Sequence, residues 1–282
     1  MDRHVLLSGL RRSGTTLQYR IFRSHPKVTA FDEPFRPNLR AKLAGAETED
    51  LPDIDQPYAR RRREIMDRWS WIPYQNELID SFAVHQREYI AYLLSQDEHV
   101  FIDFTRANCR ILDLRQVFHD ATVVFQVRDP RAWVTSHARP ASKSFDATNG
   151  PDYRDAFFEA VWDFGFWGMD RIARNCDLDG PSVVQLLQIW NGVVGAALDQ
   201  RPDRVVPFEK FALYPEAYLR DLLSDSMIDH DLLDWSPVHD PNPPAFPNDD
   251  RWGDLIDQHI DPKFHHFIHD FQGQRKRAAE TP

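Results

Sequence analysis

The sequence has little of three features, and each shortage excludes a class of protein. No run of 18 apolar residues occurs among the 282 residues, so no membrane-spanning helix is expected. The two cysteines, Cys109 and Cys176, lack the spacing of metal ligands and are too few for a disulfide framework. The first apolar run is too short for a secretory signal. Together these shortages predict a soluble protein of the reducing cytoplasm.

Basic residues are also in the minority. The chain carries 34 Lys and Arg against 44 Asp and Glu, a net charge of −10, which argues against nucleic-acid binding through phosphate neutralisation. The basic residues concentrate at one end, because residues 1–40 hold eight Lys or Arg and three acidic residues. Residues 224–261 instead hold ten Asp and a single Arg. A basic amino-terminal cleft within an acidic surface favours a small anionic ligand.

Apolar runs alternate with helical patterns along the chain. Strands are predicted at Val5–Ser8, Val28–Phe31, Val100–Phe104, Thr122–Val127 and Arg204–Phe208. Helices are predicted at Thr16–Ser24, 76–95, Ile111–Phe118, 155–175, 182–199 and near 215–224. Residues 37–75 favour loop and polar helix, which indicates an insertion. Short, almost wholly apolar strands separated by helices predict a three-layer α/β/α fold around a mostly parallel sheet.

The sharpest local motif follows the first strand. It reads Gly9-Leu10-Arg11-Arg12-Ser13-Gly14-Thr15-Thr16. The glycine spacing and the strand-to-helix context are those of a phosphate-binding loop, in which backbone N–H groups and a helix N-terminus face an anion. Thr15 stands where a nucleoside triphosphatase has its Lys, and the guanidinium fork of Arg12 could supply the missing charge. The alternative is a glycine-containing turn whose arginines are only solvated.

A second strand-to-helix turn follows the fourth predicted strand. Arg128 lies at the strand tip, Asp129 and Pro130 begin a helix, and Ser136 lies about two turns along it. Ligands of parallel sheets bind at the carboxyl ends of the strands, so Arg128 and Ser136 predict a second anion site. The alternative pairs Arg128 with a carboxylate such as Asp129 or Asp103.

Together the two motifs resemble those of the nucleotide-dependent sulfotransferases, whose donor is 3′-phosphoadenosine 5′-phosphosulfate (PAPS). In that family a P-[KR]-S-G-T-[TS] loop holds the 5′-phosphosulfate, and residues 11–16 match it with Arg11 in place of Pro. The family's R-[DN]-P-R-x-x-x-x-S motif, which holds the 3′-phosphate, is matched without gaps by residues 128–136. Residues 206–216 are similar to a further strand-and-helix segment. The matching stretches cover somewhat under half of the chain.

The resemblance implies a P-loop-like sulfotransferase fold and a single domain over residues 1–282. It also implies acceptor-side insertions at about 37–98 and 139–180 and a Pro- and Asp-rich tail from about 225. The donor PAPS would be bound by Arg11, Arg12, Ser13, Gly14, Thr15, Thr16, Arg128 and Ser136. An acceptor hydroxyl of a carbohydrate, a lipid or another small molecule would attack sulfur in line and release adenosine 3′,5′-bisphosphate. No metal is required, because Arg12 would stabilise the developing charge.

The catalytic base is where the chain departs from the cytosolic members of that family. Those members have a K-T-H sequence near the third strand, whereas this chain reads Asp103-Phe104-Thr105-Arg106. Many bacterial members instead have a Glu soon after the first helix, and Glu33 matches that position. Glu33 is therefore the candidate base, and the alternative is an ion pair with Arg36 or Arg12. The family's basic loop for the 3′-phosphate has only Arg251 as a candidate here.

Other interpretations stay open on sequence alone. A P-loop kinase-like phosphotransferase would need magnesium, which Asp103 could help to hold, and Thr15 in place of Lys argues against it. A non-catalytic nucleotide-binding protein could keep the same loop. His265 and His269 have the spacing of two zinc ligands, but no nearby Cys or Glu completes a set, so a solvated helix is favoured there. The sequence identifies neither the acceptor nor the oligomeric state.

Overall fold

The structure, a computed structural model, describes most of the chain apart from several segments. The described residues are 3–10, 13–36, 39–45, 51–69, 82–105, 107–108, 110–136, 182–224, 226–236 and 250–268. The predicted helix at 155–175, both cysteines, Arg106 and His269 lie outside them.

The central sheet has five strands in the order β2-β3-β1-β4-β5, and every neighbouring pair is parallel. The strands are β1 His4–Gly9, β2 Val28–Asp32, β3 His99–Phe104, β4 Ala121–Val127 and β5 Arg204–Pro207. Each lies within one or two residues of its predicted position. The predicted parallel sheet is therefore confirmed, and its strand order places β1 at the centre.

Helices separate and follow the strands. They are α1 Thr15–Ser24, α2 Leu39–Gly45, α3 Gln56–Ala59, α4 Arg62–Arg68, α5 Val84–Leu94, α6 Ile111–Val117, α7 Pro130–Thr135, α8 Ser182–Asp199, α9 Phe208–Leu213, α10 Pro215–Leu222 and α11 Asp250–His259. Single-turn 3-10 helices lie at Asp53–Asp55 and His230–Leu232, and a longer one lies at Pro262–Phe267. The predicted helix at 76–95 begins only at Val84 within the described residues.

The sheet separates two apolar cores because successive side chains of a strand point to opposite faces. Leu6 of β1 belongs to the core that also contains side chains from α5, α6, α8 and α11. Its neighbours Val5 and Leu7 belong to the core that α1, α9 and α10 cover. The same alternation occurs in β4, where Phe125 and Val124 lie in different cores. This arrangement confirms the three-layer α/β/α fold.

The last described segment is more than a polar tail. Trp252 and Ile256 of α11 are buried in the core beside α8, and Asp261 N donates to Asn191 Oδ1 at 2.7 Å. His265 lies in a 3-10 helix whose Phe264 is buried, rather than in the solvated α-helix that the sequence favours. The apolar residues between the acidic ones therefore anchor this segment to α8.

The described part of the chain has neither a membrane-spanning helix nor a cluster of metal ligands. No helix there has the length and apolarity needed to cross a bilayer. No group of three or more His, Cys, Asp or Glu side chains there is arranged to hold a metal ion.

Candidate active site

The candidate site residues follow strands that end at the same edge of the sheet. Ser8 of β1 is in register with Phe104 of β3, and Gly9 of β1 is in register with Gln126 of β4. β2 ends beside β3 in the same direction. The candidate phosphate loop, the candidate base and Arg128 therefore emerge from neighbouring strands at one edge, where parallel sheets bind ligands.

The two glycines of the loop are both required by close packing. Gly14 has φ 85° and ψ 18°, a left-handed conformation that L side chains rarely adopt. A Cβ atom on Gly14 would lie 2.2 Å from a ring carbon of Phe208. A Cβ atom on Gly9 would lie 2.9 Å from the backbone oxygen of Gln126. The spacing that predicts a phosphate loop therefore also lets the loop approach β4 and Phe208.

The N-terminus of α1 has the properties of an anion-binding helix end. Gly14 offers no side-chain cap, and the first turn contains no acidic residue, so the positive end of the helix dipole is not neutralised locally. Ser13 is buried, and within the described residues its Oγ has no hydrogen-bond partner. An uncapped helix end beside an unpaired buried hydroxyl fits a phosphate or sulfate oxygen.

The two threonines of the loop have different environments. Thr15 is buried, and its methyl group lies against Gly9, 3.0 Å from where a Cβ on that glycine would be. Thr16 is exposed. The Thr15 methyl group therefore packs against Gly9, and Thr16 is the exposed threonine of the first helical turn. Arg11 and Arg12 lie outside the described residues.

Two buried amides fix the loop, and the sequence analysis missed both. Gln126 Nε2 donates to the backbone oxygen of Ser13, and Gln18 Nε2 donates to Gln126 Oε1. Both glutamine side chains are fully buried. The available signal was the position of Gln126 as the polar exception in the otherwise apolar end of β4. A buried amide in such a strand needs hydrogen-bond partners, and the loop supplies them.

Phe208 connects the phosphate loop to Arg128. The Arg128 guanidinium carbon lies 5.1 Å from the centre of the Phe208 ring, and the same ring contacts Gly14. Trp190 Nε1 of α8 donates to the backbone oxygen of Arg128 at 2.9 Å. The ring of Phe208 therefore contacts both Gly14 of the candidate phosphate loop and the Arg128 guanidinium.

The acidic residues near Arg128 have separate partners. The Asp129 carboxylate caps α7 and accepts hydrogen bonds from the backbone and guanidinium of Arg131, the shortest at 2.6 Å. Glu209, which is 3% exposed, accepts from Asp129 N at 3.1 Å and lies 4.0 Å from Arg128 Nε. Burial and the neighbouring Asp129 raise the pKa of Glu209 to about 8, although Arg128 acts against this rise. The sequence analysis offered Asp129 or Asp103 as a carboxylate partner of Arg128. The carboxylate that lies near Arg128 Nε is that of Glu209, which the sequence analysis did not identify.

Ser136 is the residue directly after α7. Its hydroxyl donates to the backbone oxygen of Trp133 at 2.6 Å, and the side chain is partly buried. A phosphate at this position would have to draw the Ser136 proton away from that carbonyl group. The structure therefore places Ser136 near the end of the helix with its hydroxyl engaged by the backbone.

Glu33 follows β2 in a strained conformation. Its φ is 42°, which is uncommon for a residue with a side chain and costs about 1–3 kcal/mol. Its N–H donates to Asp103 O at 2.9 Å, and its carbonyl oxygen accepts from Arg36 N at 3.0 Å. Glu33 lines a small open cleft together with Pro34, Phe35, Phe104 and Thr105. Strain beside a cleft is typical of functional residues.

The Arg36 side chain is committed to other carboxylates than Glu33. Its guanidinium lies 3.3 Å from Asp32 and contacts the fully buried Asp55. Lys42 Nζ also lies 3.2 Å from Asp55. Arg36 therefore pairs with Asp32 and Asp55 and not with Glu33, which was one of the predicted alternatives. Through these ion pairs Arg36 connects the turn at Glu33 to the segment around Asp55.

Comparisons with known proteins give two findings. A family model described as "Sulfotransferase family" matches residues 5–225 of this chain. The crystal structure of a sulfotransferase from Alicyclobacillus acidocaldarius is similar over 98% of this chain and 99% of that one, with a TM-score of 0.46 and 14% identity. No curated protein matches the sequence.

Proposed function

Because this chain belongs to the sulfotransferase family, as the match over residues 5–225 shows, we propose that it transfers a sulfuryl group from PAPS to an acceptor hydroxyl. The acceptor is a carbohydrate, a lipid or another small molecule, and the cytoplasm is the proposed location. The acceptor oxygen forms a bond to sulfur as the bond from sulfur to the bridging oxygen breaks. That bond's electron pair leaves with adenosine 3′,5′-bisphosphate.

The contact of Phe208 with both Gly14 and Arg128 carries this proposal. PAPS has a phosphosulfate at one end and a 3′-phosphate on the ribose, so it needs two anion sites within reach of one nucleotide. The loop from Ser13 to Thr16, with the uncapped N-terminus of α1, suits the phosphosulfate. Arg128, which lies against the same Phe208 ring that contacts Gly14, suits the 3′-phosphate. Two anion sites that share one ring support a donor of this kind.

The proposed roles of the remaining site residues follow from their positions. Arg11 and Arg12 would bind the phosphosulfate, and Arg12 would stabilise negative charge on the leaving oxygen. Ser136 would join Arg128 at the 3′-phosphate. Glu33 would accept the acceptor's proton, because it lines the cleft whose other walls are mostly apolar.

Titration calorimetry tests the donor assignment. Adenosine 3′,5′-bisphosphate, 5′-AMP and ATP with magnesium are titrated into wild type, Arg128→Ala and Arg3→Ala. Only the bisphosphate is expected to bind tightly, and Arg128→Ala should weaken it about tenfold to a hundredfold because a charged hydrogen bond is lost. Arg3 pairs with Asp120 at the amino end of β1 and is 51% exposed, so its variant controls for loss of an arginine elsewhere.

Two outcomes would contradict the proposal. If ATP with magnesium binds best and Arg128→Ala has no effect, the kinase-like alternative replaces it. If none of the three nucleotides binds to wild type, the chain does not use a nucleotide donor of this kind.

A further inference from the structure

Thr105 has a buried hydroxyl that no hydrogen bond among the described residues uses. It is the first residue after β3, it is 5% exposed, and within the described residues its Oγ1 has no hydrogen-bond partner. Leaving such a group unpaired away from water is unfavourable. Buried polar groups in native proteins are nearly always paired, so an unpaired hydroxyl at the ligand-binding edge of a sheet indicates a ligand.

The backbone of Thr105, by contrast, has a structural partner. Asn108 Nδ2 donates to Thr105 O at 3.1 Å, and Ser8 Oγ donates to Asn108 Oδ1 at 2.9 Å. These bonds tie the turn after β3 to the end of β1 and hold Thr105 in place. The hydroxyl group is therefore positioned by its neighbours and contributes no bond to that support.

The cleft supplies the chemical context for this hydroxyl. Its lining consists of Glu33, Thr105 and the apolar Pro34, Phe35 and Phe104. An ionised carboxylate only accepts hydrogen bonds, whereas a threonine hydroxyl can also donate one. Of these five lining residues, Thr105 alone has a side chain that can donate to a sulfuryl oxygen when Glu33 is ionised.

The strand order decides where Thr105 lies relative to the reacting groups. β3 lies between β2 and β1 in the sheet, and Glu33 follows β2 while the phosphate loop follows β1. Thr105, which follows β3, is therefore placed between the proposed base and the proposed phosphosulfate site. That position is where the acceptor oxygen and the sulfur atom must meet.

We propose that Thr105 is a further catalytic residue, whose hydroxyl donates a hydrogen bond to a nonbridging oxygen of the transferring sulfuryl group. This inference rests on the proposed function. The hydrogen bond from Thr105 holds the sulfur atom in line with the acceptor oxygen. As the acceptor oxygen forms its bond to sulfur, the acceptor's proton passes to Glu33. The bridging oxygen leaves with its electron pair on the bisphosphate, and Thr105 neither gains nor loses a proton.

Comparing PAPS with adenosine 3′,5′-bisphosphate tests this contact without knowledge of the acceptor, because only PAPS carries the sulfuryl group. Thr105→Val keeps the shape of the side chain and removes the donor. It should weaken PAPS binding about tenfold or more, as expected for a hydrogen bond to a charged group, and leave bisphosphate affinity within about twofold of wild type. Thr105→Ser retains a hydroxyl and should bind PAPS like wild type.

Thr122→Val is the matched control, since Thr122 is similarly buried but lies at the start of β4, at the opposite edge of the sheet. Thr122→Val should bind both PAPS and adenosine 3′,5′-bisphosphate with wild-type affinity. Equal PAPS affinity in Thr105→Val and wild type would overturn the inference. If Thr105→Val instead loses affinity for PAPS and for the bisphosphate to the same extent, Thr105 has a structural role and the inference is likewise overturned. Failure of wild type to bind the bisphosphate is a different result, because it contradicts the proposed function itself.

Discussion

At the scale of single residues, Glu33 combines a strained backbone with a place in the cleft. Its φ of 42° is held by hydrogen bonds to Asp103 and Arg36 on either side of the turn. Arg36 is in turn held by Asp32 and Asp55. The surrounding structure therefore fixes a conformation that the glutamate would not adopt by itself, which is expected of a residue retained for its chemistry.

Replacing Glu33 by Gln should separate turnover from donor binding. The amide cannot take the acceptor's proton, so turnover with an acceptor found by screening should fall roughly 100- to 10,000-fold. Affinity for adenosine 3′,5′-bisphosphate, measured by calorimetry, should stay unchanged. Glu88→Gln, on an exposed position of α5, is the control and should turn over like wild type. Turnover of Glu33→Gln within a fewfold of wild type would remove Glu33 as the base.

Glu209 makes the stability of the fold depend on pH. The folded protein holds the Glu209 proton up to a pKa of about 8, whereas the ordinary value is 4.5. Between these values the folded state binds more protons than the unfolded state, so the free energy of unfolding falls as pH rises. The slope from this residue is at most about 1.4 kcal/mol per pH unit.

The variant Glu209→Gln should flatten that dependence. The amide resembles the protonated acid and keeps an oxygen for the Asp129 N–H group, so between pH 5 and 8 the variant should lose less stability than wild type. Urea unfolding at several pH values measures the difference. Glu216→Gln, at an exposed pair with Arg220, should give a curve parallel to that of wild type. Parallel curves for Glu209→Gln would show that Glu209 does not titrate in this range.

At the scale of elements, the unit formed by β1, the phosphate loop and α1 depends on its neighbours. The backbone oxygen of Ser13 in the loop accepts a hydrogen bond from Gln126 of β4, and Gly14 lies against Phe208 at the start of α9. The left-handed Gly14 begins α1 without a side-chain cap. An anion-binding shape is therefore built from a local glycine conformation and from contacts supplied by two distant elements.

Replacing Gly14 by Ala should lower both the stability of the fold and the affinity for the nucleotide. The methyl group would lie 2.2 Å from the Phe208 ring and would occupy a left-handed position, so the free energy of unfolding should fall by about 1–3 kcal/mol. Bisphosphate affinity should fall as well, because the loop and the ring that contacts Arg128 must move apart. Chemical unfolding and calorimetry measure the two effects.

Gly253→Ala is the control for this change. Gly253 lies in α11 with open space where its Cβ would be, so alanine should raise stability by at most about 1 kcal/mol and leave nucleotide affinity unchanged. A Gly14→Ala protein with wild-type affinity for the bisphosphate would show that the loop conformation does not matter for binding.

At the scale of the whole molecule, the sheet order gathers residues that are far apart in the chain. The segment from Asp250 to Phe267 also joins the core beside α8. Composition alone indicated a Pro- and Asp-rich tail from about 225, since residues 224–261 hold ten Asp. Burial of Trp252 and Phe264 depends on the position of α8, which no local pattern reveals.

The sequence by itself determined the strands, the alternation with helices and the position of the glycine-containing loop after the first strand, because these depend on apolar runs and glycine spacing within a few residues. Only the tertiary structure decided that Phe208 contacts both Gly14 and Arg128, that Glu209 lies beside Arg128, and that Thr105 shares a cleft with Glu33. These residues are distant in sequence, and the order β2-β3-β1-β4-β5 makes them neighbours. Local physical preferences fix elements, whereas long-range packing assembles the site.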